Sequence, residues 1–342
     1  MFIGWLSVGQ LAEAGVVALS ATVALLLALW IDRHMGEPPV AVHPVVWMGH
    51  YLSWCGQWAV RLPPAGAFGL GALAWCVGAA VTGWIALGLQ TLLLTQIRPT
   101  GQLSAWAHWA VAGLLMGFFA WGLKTMLSWR MLRCEVLAVE TALGESLSIG
   151  RERLSWLVSR DTAELSASEV RESAIESLAE NLNDSVVAPI FWFVLFGLPG
   201  AAVYRFANTA DAMWGYRGVR HGQCWEWAGK WAARADDVLS WLPARITALL
   251  MVAVTRGVSF GTLRAEARRT PSPNSGWPMA AMALALGIRL GKPGMYTLNA
   301  AGRVPDASDT LQSIKKSSKV LMALVSIVSI AMISVAFYQA RR

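Results

Sequence analysis

Glu169, Glu172, Glu176 and Glu180 recur at spacings of three and four, with Asn183 and Asp184 just beyond them. On a helix the four acids and Asn183 fall within about 80° of arc on one face. Ser166-Ala167-Ser168-Glu169 has the form of a capping box and predicts a helix from about Ala167 to Asn183, with Ser166 as its cap. Val170, Ala174, Ile175, Leu178 and Leu182 occupy the opposite side. Glutamates four apart repel by roughly 0.2–0.5 kcal/mol per pair. No Lys or Arg at helical spacing on that face relieves them. Such a face either stands in solvent, with Glu169 serving only as a cap, or gathers Mg²⁺, which takes hard oxygen ligands and usually a bound phosphate. Acids at the carboxyl end oppose the helix dipole unless something binds them, so Asp184 favours the second reading.

Other polar clusters flank this helix. Ser159-Arg160-Asp161-Thr162 precedes it, and Asn208, Asp211, Tyr216 and Arg217 follow it. Asp236 and Asp237 sit at the mouth of an apolar run, where adjacent acids are costly and point to function. The turn from Arg268 to Pro278 offers Ser272, Asn274, Ser275 and Gly276 ahead of a helix at Met279. Its hydroxyls, amide and backbone N–H groups suit a phosphate, although an ordinary Pro/Ser/Asn loop has the same composition. Gly287 to Lys292 is one residue short of a phosphate-loop spacing, and the five His and four Cys show no zinc or redox pattern.

The elements that position these groups are membrane helices. Of the 342 residues 56% are hydrophobic and 14% charged, where a soluble domain carries about 25% charged residues. That excludes a disordered chain and argues against a soluble globule. The net charge of +7 reads as basic cytosolic loops, with no nucleic-acid partner expected. Segments 11–31, 67–94, 105–127 and 320–338 are apolar enough to span ~30 Å of hydrocarbon. No Lys or Arg precedes the first, which reads as a retained anchor, and Arg33 after it sets a cytosolic loop. Segments 128–184, 207–238 and 256–319 then read as cytosolic and polar. Segments 185–206 and 239–254 are ambiguous: Leu198-Pro199-Gly200 breaks the first and Pro243 and Arg245 interrupt the second, which favours re-entrant, interfacial or buried helices. The expectation is an all-α, polytopic integral membrane protein, a single embedded domain of four to six spans.

Six blocks, in order along nearly the whole chain, resemble the adenosylcobinamide-phosphate synthase family of cobalamin biosynthesis, called CobD or CbiB. They are Asp32-Arg33 with Gly36-Glu37-Pro38 and His43-Pro44; Ser159 to Thr162; Glu172 to Asp184; Ala188-Pro189 through Asp211 to Tyr216; Ala235-Asp236-Asp237; and Ser272 to Pro278. After Lys292 the chain departs from the family pattern, carrying Tyr296-Thr297-Leu298-Asn299 where a Tyr-Asn-Gly-like segment is common. The resemblance implies an inner-membrane ligase that joins adenosylcobyric acid to aminopropanol phosphate, or free aminopropanol, at the expense of ATP with Mg²⁺. Further implied partners are the lipid bilayer and other late membrane enzymes of the pathway. A carboxylate needs activation before an amine attacks it, and ATP supplies that as an acyl phosphate. Glu172, Glu176, Glu180 and Asp184 are then expected near the metal, with Asp211, Asp236 and Asp237 as further ligands. Arg160, Asn208, Arg217 and the Ser272, Asn274, Ser275 and Gly276 turn are expected on phosphates, and Asp161 or Glu180 as general base. A lower-ranked resemblance is to AmpE-type regulatory membrane proteins without ligase activity, which generally lack the full set of polar blocks.

Overall fold

The computed structural model describes residues 14–96, 104–220, 222–255 and 257–340. In chain order α1 spans Ala14–Met35, α2 Pro44–Ala59, α3 Pro64–Gln96, α4 Ala105–Lys124, α5 Trp129–Glu145 and α6 Leu147–Ser155. They are followed by α7 Ala167–Leu182, α8 Ala188–Trp214, α9 Lys230–Thr255, α10 Phe260–Ala267, α11 Gly276–Leu286 and α12 Ala307–Ala340. Two small antiparallel hairpins interrupt the helices: β1 (Val219–Arg220) with β2 (Gln223–Cys224), and β3 (Leu290–Lys292) with β4 (Tyr296–Leu298). Among the described residues six stretches are long and apolar enough to cross a membrane: Gly15–Met35, Pro64–Gln96, Trp106–Lys124, Ala167–Trp214, Lys230–Thr255 and Ala307–Gln339. The all-α, polytopic architecture expected from the sequence is the one observed.

Element ends differ from the apolar windows, because hydropathy reports burial in lipid and not helix termini. The start of the first window, residues 11–13, lies outside the described residues. Helix α4 stops at Lys124, where Thr125 Oγ1 donates to the Gly122 carbonyl at 2.7 Å. Helix α12 starts at Ala307, well ahead of the apolar run at 320, because Asp309, Lys315, Lys316 and Lys319 are compatible with a helix that hydropathy does not see. Segments 185–206 and 239–254 fall in α8 and α9, both within the apolar set. The expected break in α8 is present at Gly197, whose φ of 72° and ψ of −159° suit glycine alone. Gln90 Oε1 accepts the Leu198 N–H at 2.9 Å and so satisfies a donor that the kink at Gly197 releases. Residues 207–214 and 230–238, read as polar linkers, are the ends of α8 and α9.

Where the sequence suggests one embedded domain, the backbone packs as two compact units of interleaved segments. The first comprises Met1–Ser128, Ala188–Leu239 and Ile327–Arg342. In it α3 packs on α2 and α8, and α1 on α4, with Leu25, Phe119, Leu123, Phe193 and Phe206 buried. The second comprises Trp129–Val187 and Ser240–Ser326. Here α7 is central, touching α5, α6, α11 and β3, and Val170, Ile175, Leu178 and Leu182 form its buried apolar side.

Candidate active site

The local sequence sets α7 as expected. Ser166 Oγ accepts the Glu169 N–H, and Glu169 Oε2 accepts the Ser166 N–H at 2.7 Å, which closes the capping box. Glu169 is thus a cap. The acidic face, however, is not solvated: Glu172 is 5% exposed and Glu176 4%. The cations that make this tolerable come from outside the helix. Arg160 Nη2 donates to Glu176 Oε2 at 3.2 Å and to Ser173 Oγ at 2.6 Å. Arg289 Nε donates to Glu172 Oε1 at 3.2 Å. The loop bearing Arg160 is tied to α6, Thr162 Oγ1 donating to the Arg151 carbonyl and Arg151 Nε to that of Leu165. One oxygen of the pair's acid, Glu176 Oε1, and one nitrogen of its base, Arg160 Nη1, are buried with no hydrogen-bond partner among the described residues. Buried polar atoms are rarely left so, and this pair is ready for a polar ligand.

The β3–β4 hairpin closes the site. Gly287, in the left-handed region at φ 65°, ends α11 and turns the chain into β3. Pro293 and Gly294 form the turn, across which the Met295 N–H donates to the Lys292 carbonyl at 3.0 Å. At the far end the Asn299 N–H donates to Glu266 Oε2 at 2.7 Å, and Asn299 Nδ2 to the Ile288 carbonyl at 2.9 Å. So anchored, the hairpin presents the Tyr296 hydroxyl to the Glu176 carboxylate and to Met279 Sδ. Burial, then the charges of Glu176 and Glu180, push this phenol well above its ordinary value, so it stays a proton donor. A polar cleft of about 190 Å³ lies among Ser159, Arg160, Ser173, Glu176, Ser177, Glu180, Asn181, Lys292 and Tyr296. A second cleft, of about 420 Å³, is lined by Glu169, Glu172, Arg289, Lys292, Tyr296 and Thr297. Sequence reasoning passed over Arg289 and Lys292 as site residues. The available signal was Pro293-Gly294 between short runs of strand-forming residues, a hairpin signature.

The remaining expected residues divide among three places. Asp161 is exposed and caps its own turn, accepting the Ala163 N–H at 2.9 Å; it lines neither cleft. Asp184 lies in the π-helical turn Asn183–Val187, where its Oδ1 accepts from Asn183 Nδ2 at 2.7 Å, and it too lines neither cleft. Asn183 Oδ1 in turn accepts from Thr247 Oγ1 at 3.2 Å. In the Ser272–Gly276 turn, Ser272 Oγ accepts the N–H groups of Asn274 and Ser275, both at 3.2 Å. Asn274 Oδ1 accepts from Arg245 Nη1 at 3.1 Å, and Gly276 opens α11. The Ser272 hydroxyl thus serves the turn, and the Asn274 amide oxygen ties the turn to α9. In the first unit Asn208 Nδ2 donates to Asp236 Oδ1 at 3.5 Å. There Asp211 and Asp237 repel each other, and Arg217 attracts Asp237. The structure therefore joins Arg160 with Glu176 and Glu180 in one unit, and Asn208, Asp211, Arg217, Asp236 and Asp237 in the other. Among the described residues no three His, Cys, Asp or Glu side chains are grouped to enclose a metal ion. Mg²⁺ needs no such cage, since one or two carboxylates plus substrate phosphates usually hold it. Glu176, with its unpartnered oxygen, and Glu180 fit that mode.

A further polar cluster in the first unit was only partly legible. Lys124, fully buried at the end of α4, lies 2.5 Å from Glu37 Oε2 and 3.6 Å from Asp32 Oδ1. His43 Nε2 stands 3.3 Å from the same Glu37 oxygen, while His43 Nδ1 accepts the Val45 N–H and caps α2. Burial alone would raise the Glu37 carboxyl, but His43 and Lys124 outweigh it and hold the group below its ordinary value. The cluster pins the loop between α1 and α2 onto α4. Asp32, Glu37 and His43 are visible in the sequence blocks, but Lys124 sits inside an apolar window and gives no such signal.

Comparison with known proteins identifies the family. The CobD/Cbib protein family matches residues 25–327. A probable cobalamin biosynthesis protein CobD of Methanothermobacter thermautotrophicus is 39% identical over 310 residues, covering 89% of this chain and 95% of the relative. One from Pyrococcus abyssi is 37% identical over 311 residues, covering 91% and 96%. The cobalamin biosynthesis protein CobD of Brucella anthropi is 34% identical over 313 residues, covering 85% and 90%. No solved structure matches the chain. With nearly the full length of both chains aligned, the protein belongs to the CobD/CbiB family.

Proposed function

We propose that this protein is an ATP-dependent amide ligase of cobalamin biosynthesis, joining adenosylcobyric acid to (R)-1-amino-2-propanol phosphate to give adenosylcobinamide phosphate. Membership of the CobD family supports the pathway. The observation that carries the chemistry is the buried Arg160–Glu176 pair, each partner with one unpartnered atom, bordering a polar cleft.

The substrate carboxyl takes a phosphoryl group from ATP; the amine nitrogen then attacks the acyl carbon, phosphate leaves, and the amine gives up a proton. Mg²⁺ bound with the nucleotide supplies neutralisation of phosphate charge. Arg160, held by Ser173 and by Glu176, directs a fixed guanidinium at the phosphates, for which its planar donors are suited. Glu176 and Glu180 offer oxygens to the metal, and one of them takes the amine's proton. Tyr296, kept protonated beside Glu176, orients that carboxylate and can donate to developing charge. The reading is tested by incubating detergent-solubilised protein with adenosylcobyric acid, aminopropanol phosphate, ATP and Mg²⁺. Mass spectrometry should show the amide only when protein and ATP are both present. Folded protein that makes no product with this donor or with free aminopropanol refutes it.

A further inference from the structure

The larger cleft beside the hairpin differs from its neighbour in charge pattern. It is lined by two cations, Arg289 and Lys292, and two acids, Glu169 and Glu172, of which Arg289 and Glu172 are paired. Glu172 holds only the Nε edge of Arg289, whose side chain is 43% exposed, so the rest of the guanidinium faces outward. Lys292 makes no ion pair with any described residue. It is the last residue of β3, paired with Tyr296 before the Pro293-Gly294 turn, so its backbone is fixed while its ammonium is in no ion pair. At about 420 Å³ the space suits a small molecule and not a macrocycle. A cleft that offers both signs of charge favours a ligand carrying both, because a lone anion or cation leaves part of the lining unanswered. Lys292 and Tyr296 also wall the neighbouring cleft that holds Arg160, Glu176 and Glu180. A ligand in the larger cleft is therefore adjacent to the acids assigned to the chemistry.

We infer that Lys292 and Arg289 are specificity-determining residues that bind the phosphate of a small zwitterionic amino-alkyl phosphate, while Glu169 and Glu172 attract its ammonium end. The inference rests on the ligase reading, of which this compound is the amine donor. Phosphate pairing to a cation is a charge-assisted contact, and its loss should weaken binding by roughly tenfold.

The test uses full-length protein in detergent and calorimetric binding of four probes: 1-amino-2-propanol phosphate, O-phosphoethanolamine, free 1-amino-2-propanol and inorganic phosphate. In the wild-type protein the two zwitterions should bind roughly tenfold or more tighter than either fragment. Lys292→Met, which breaks no internal ion pair, should weaken the zwitterions by about tenfold and Mg·ATP by a clearly smaller factor, because Lys292 only borders the cleft that holds Arg160. Arg289→Gln should act in the same direction. If Arg289→Gln fails to fold because Glu172 loses its partner, Lys292→Met alone decides. Equal binding of zwitterion and fragments, no change in Lys292→Met, or equal loss of Mg·ATP and zwitterion would each overturn the assignment. Product formation by the wild-type protein, measured alongside, tests the ligase reading separately, so the two can fail independently.

Discussion

Arg160 and Glu176 form the pair on which the site depends, and removing the two partners one at a time should have unequal effects. Arg160→Ala leaves a carboxylate whose side chain is 6% exposed without its counter-charge. Breaking a buried pair in this way costs about 3–5 kcal/mol. Because Arg160 itself is 18% exposed, some water reaches the gap and a cost below that range, about 2–3 kcal/mol, is expected. Glu176→Gln instead removes the charge that burial penalises and keeps an oxygen to accept from Arg160, so its cost should stay within about 1 kcal/mol. In a protein of this size each kcal/mol corresponds to roughly 1–2 °C in melting temperature. The 19 Trp residues provide an intrinsic fluorescence signal for melting in detergent. Arg160→Ala should therefore melt about 3–5 °C low and Glu176→Gln within about 1–2 °C of wild type. The double variant should recover part of the loss, since it no longer buries an unpaired charge. Both single variants should lose ligase turnover. Arg160→Ala melting with the wild type, or Glu176→Gln falling as far as Arg160→Ala, would refute the buried-pair argument.

Three other outcomes follow from the structure. The Glu37 carboxyl is held below the ordinary value for a glutamate, so its contribution to stability is present above that ordinary value and is lost as pH falls through the lower folded value. The wild-type melting temperature should drop on acidification below about pH 4.5, and Glu37→Gln should be less stable at pH 7 but show a shallower acid limb; identical acid limbs would remove Glu37 from the account. Gly197→Ala puts a Cβ 2.1 Å from Gln90 Oε1 at a φ of 72°, and should cost at least about 1–3 kcal/mol, seen as early unfolding or protease cutting at the kink. Ser166→Ala removes one side of the capping box and should lower stability by about 1 kcal/mol, whereas Ser166→Asp should retain most of it.

How far the sequence leads depends on whether an interaction is local. The α7 capping box, the acidic face and the kink near Pro199 are encoded within a few residues, and each is found where the pattern puts it. The burial of Glu172 and Glu176 is not local: it depends on Arg289 and Arg160, which lie 117 and 16 positions away. Read alone, the helix could as well have stood in solvent. Lys124 illustrates the same limit from the opposite direction, a single charge ending an apolar window whose partners are 87 and more residues distant. Helix ends past the lipid-like windows, as at Ala307 and Trp214, were missed because polar residues can continue a helix that hydropathy no longer marks. The family resemblance supplied the substrate class that no spacing of residues could name.

The most direct test of the account is a side-by-side assay of wild type and Glu176→Gln with adenosylcobyric acid, aminopropanol phosphate, ATP and Mg²⁺, with both proteins shown to be folded by their melting curves. The account predicts adenosylcobinamide phosphate from the wild type in amounts that track ATP consumed, and none above background from Glu176→Gln. Undiminished product from Glu176→Gln would contradict the placement of the chemistry at the acidic helix, and no product from folded wild type would contradict the ligase reading itself.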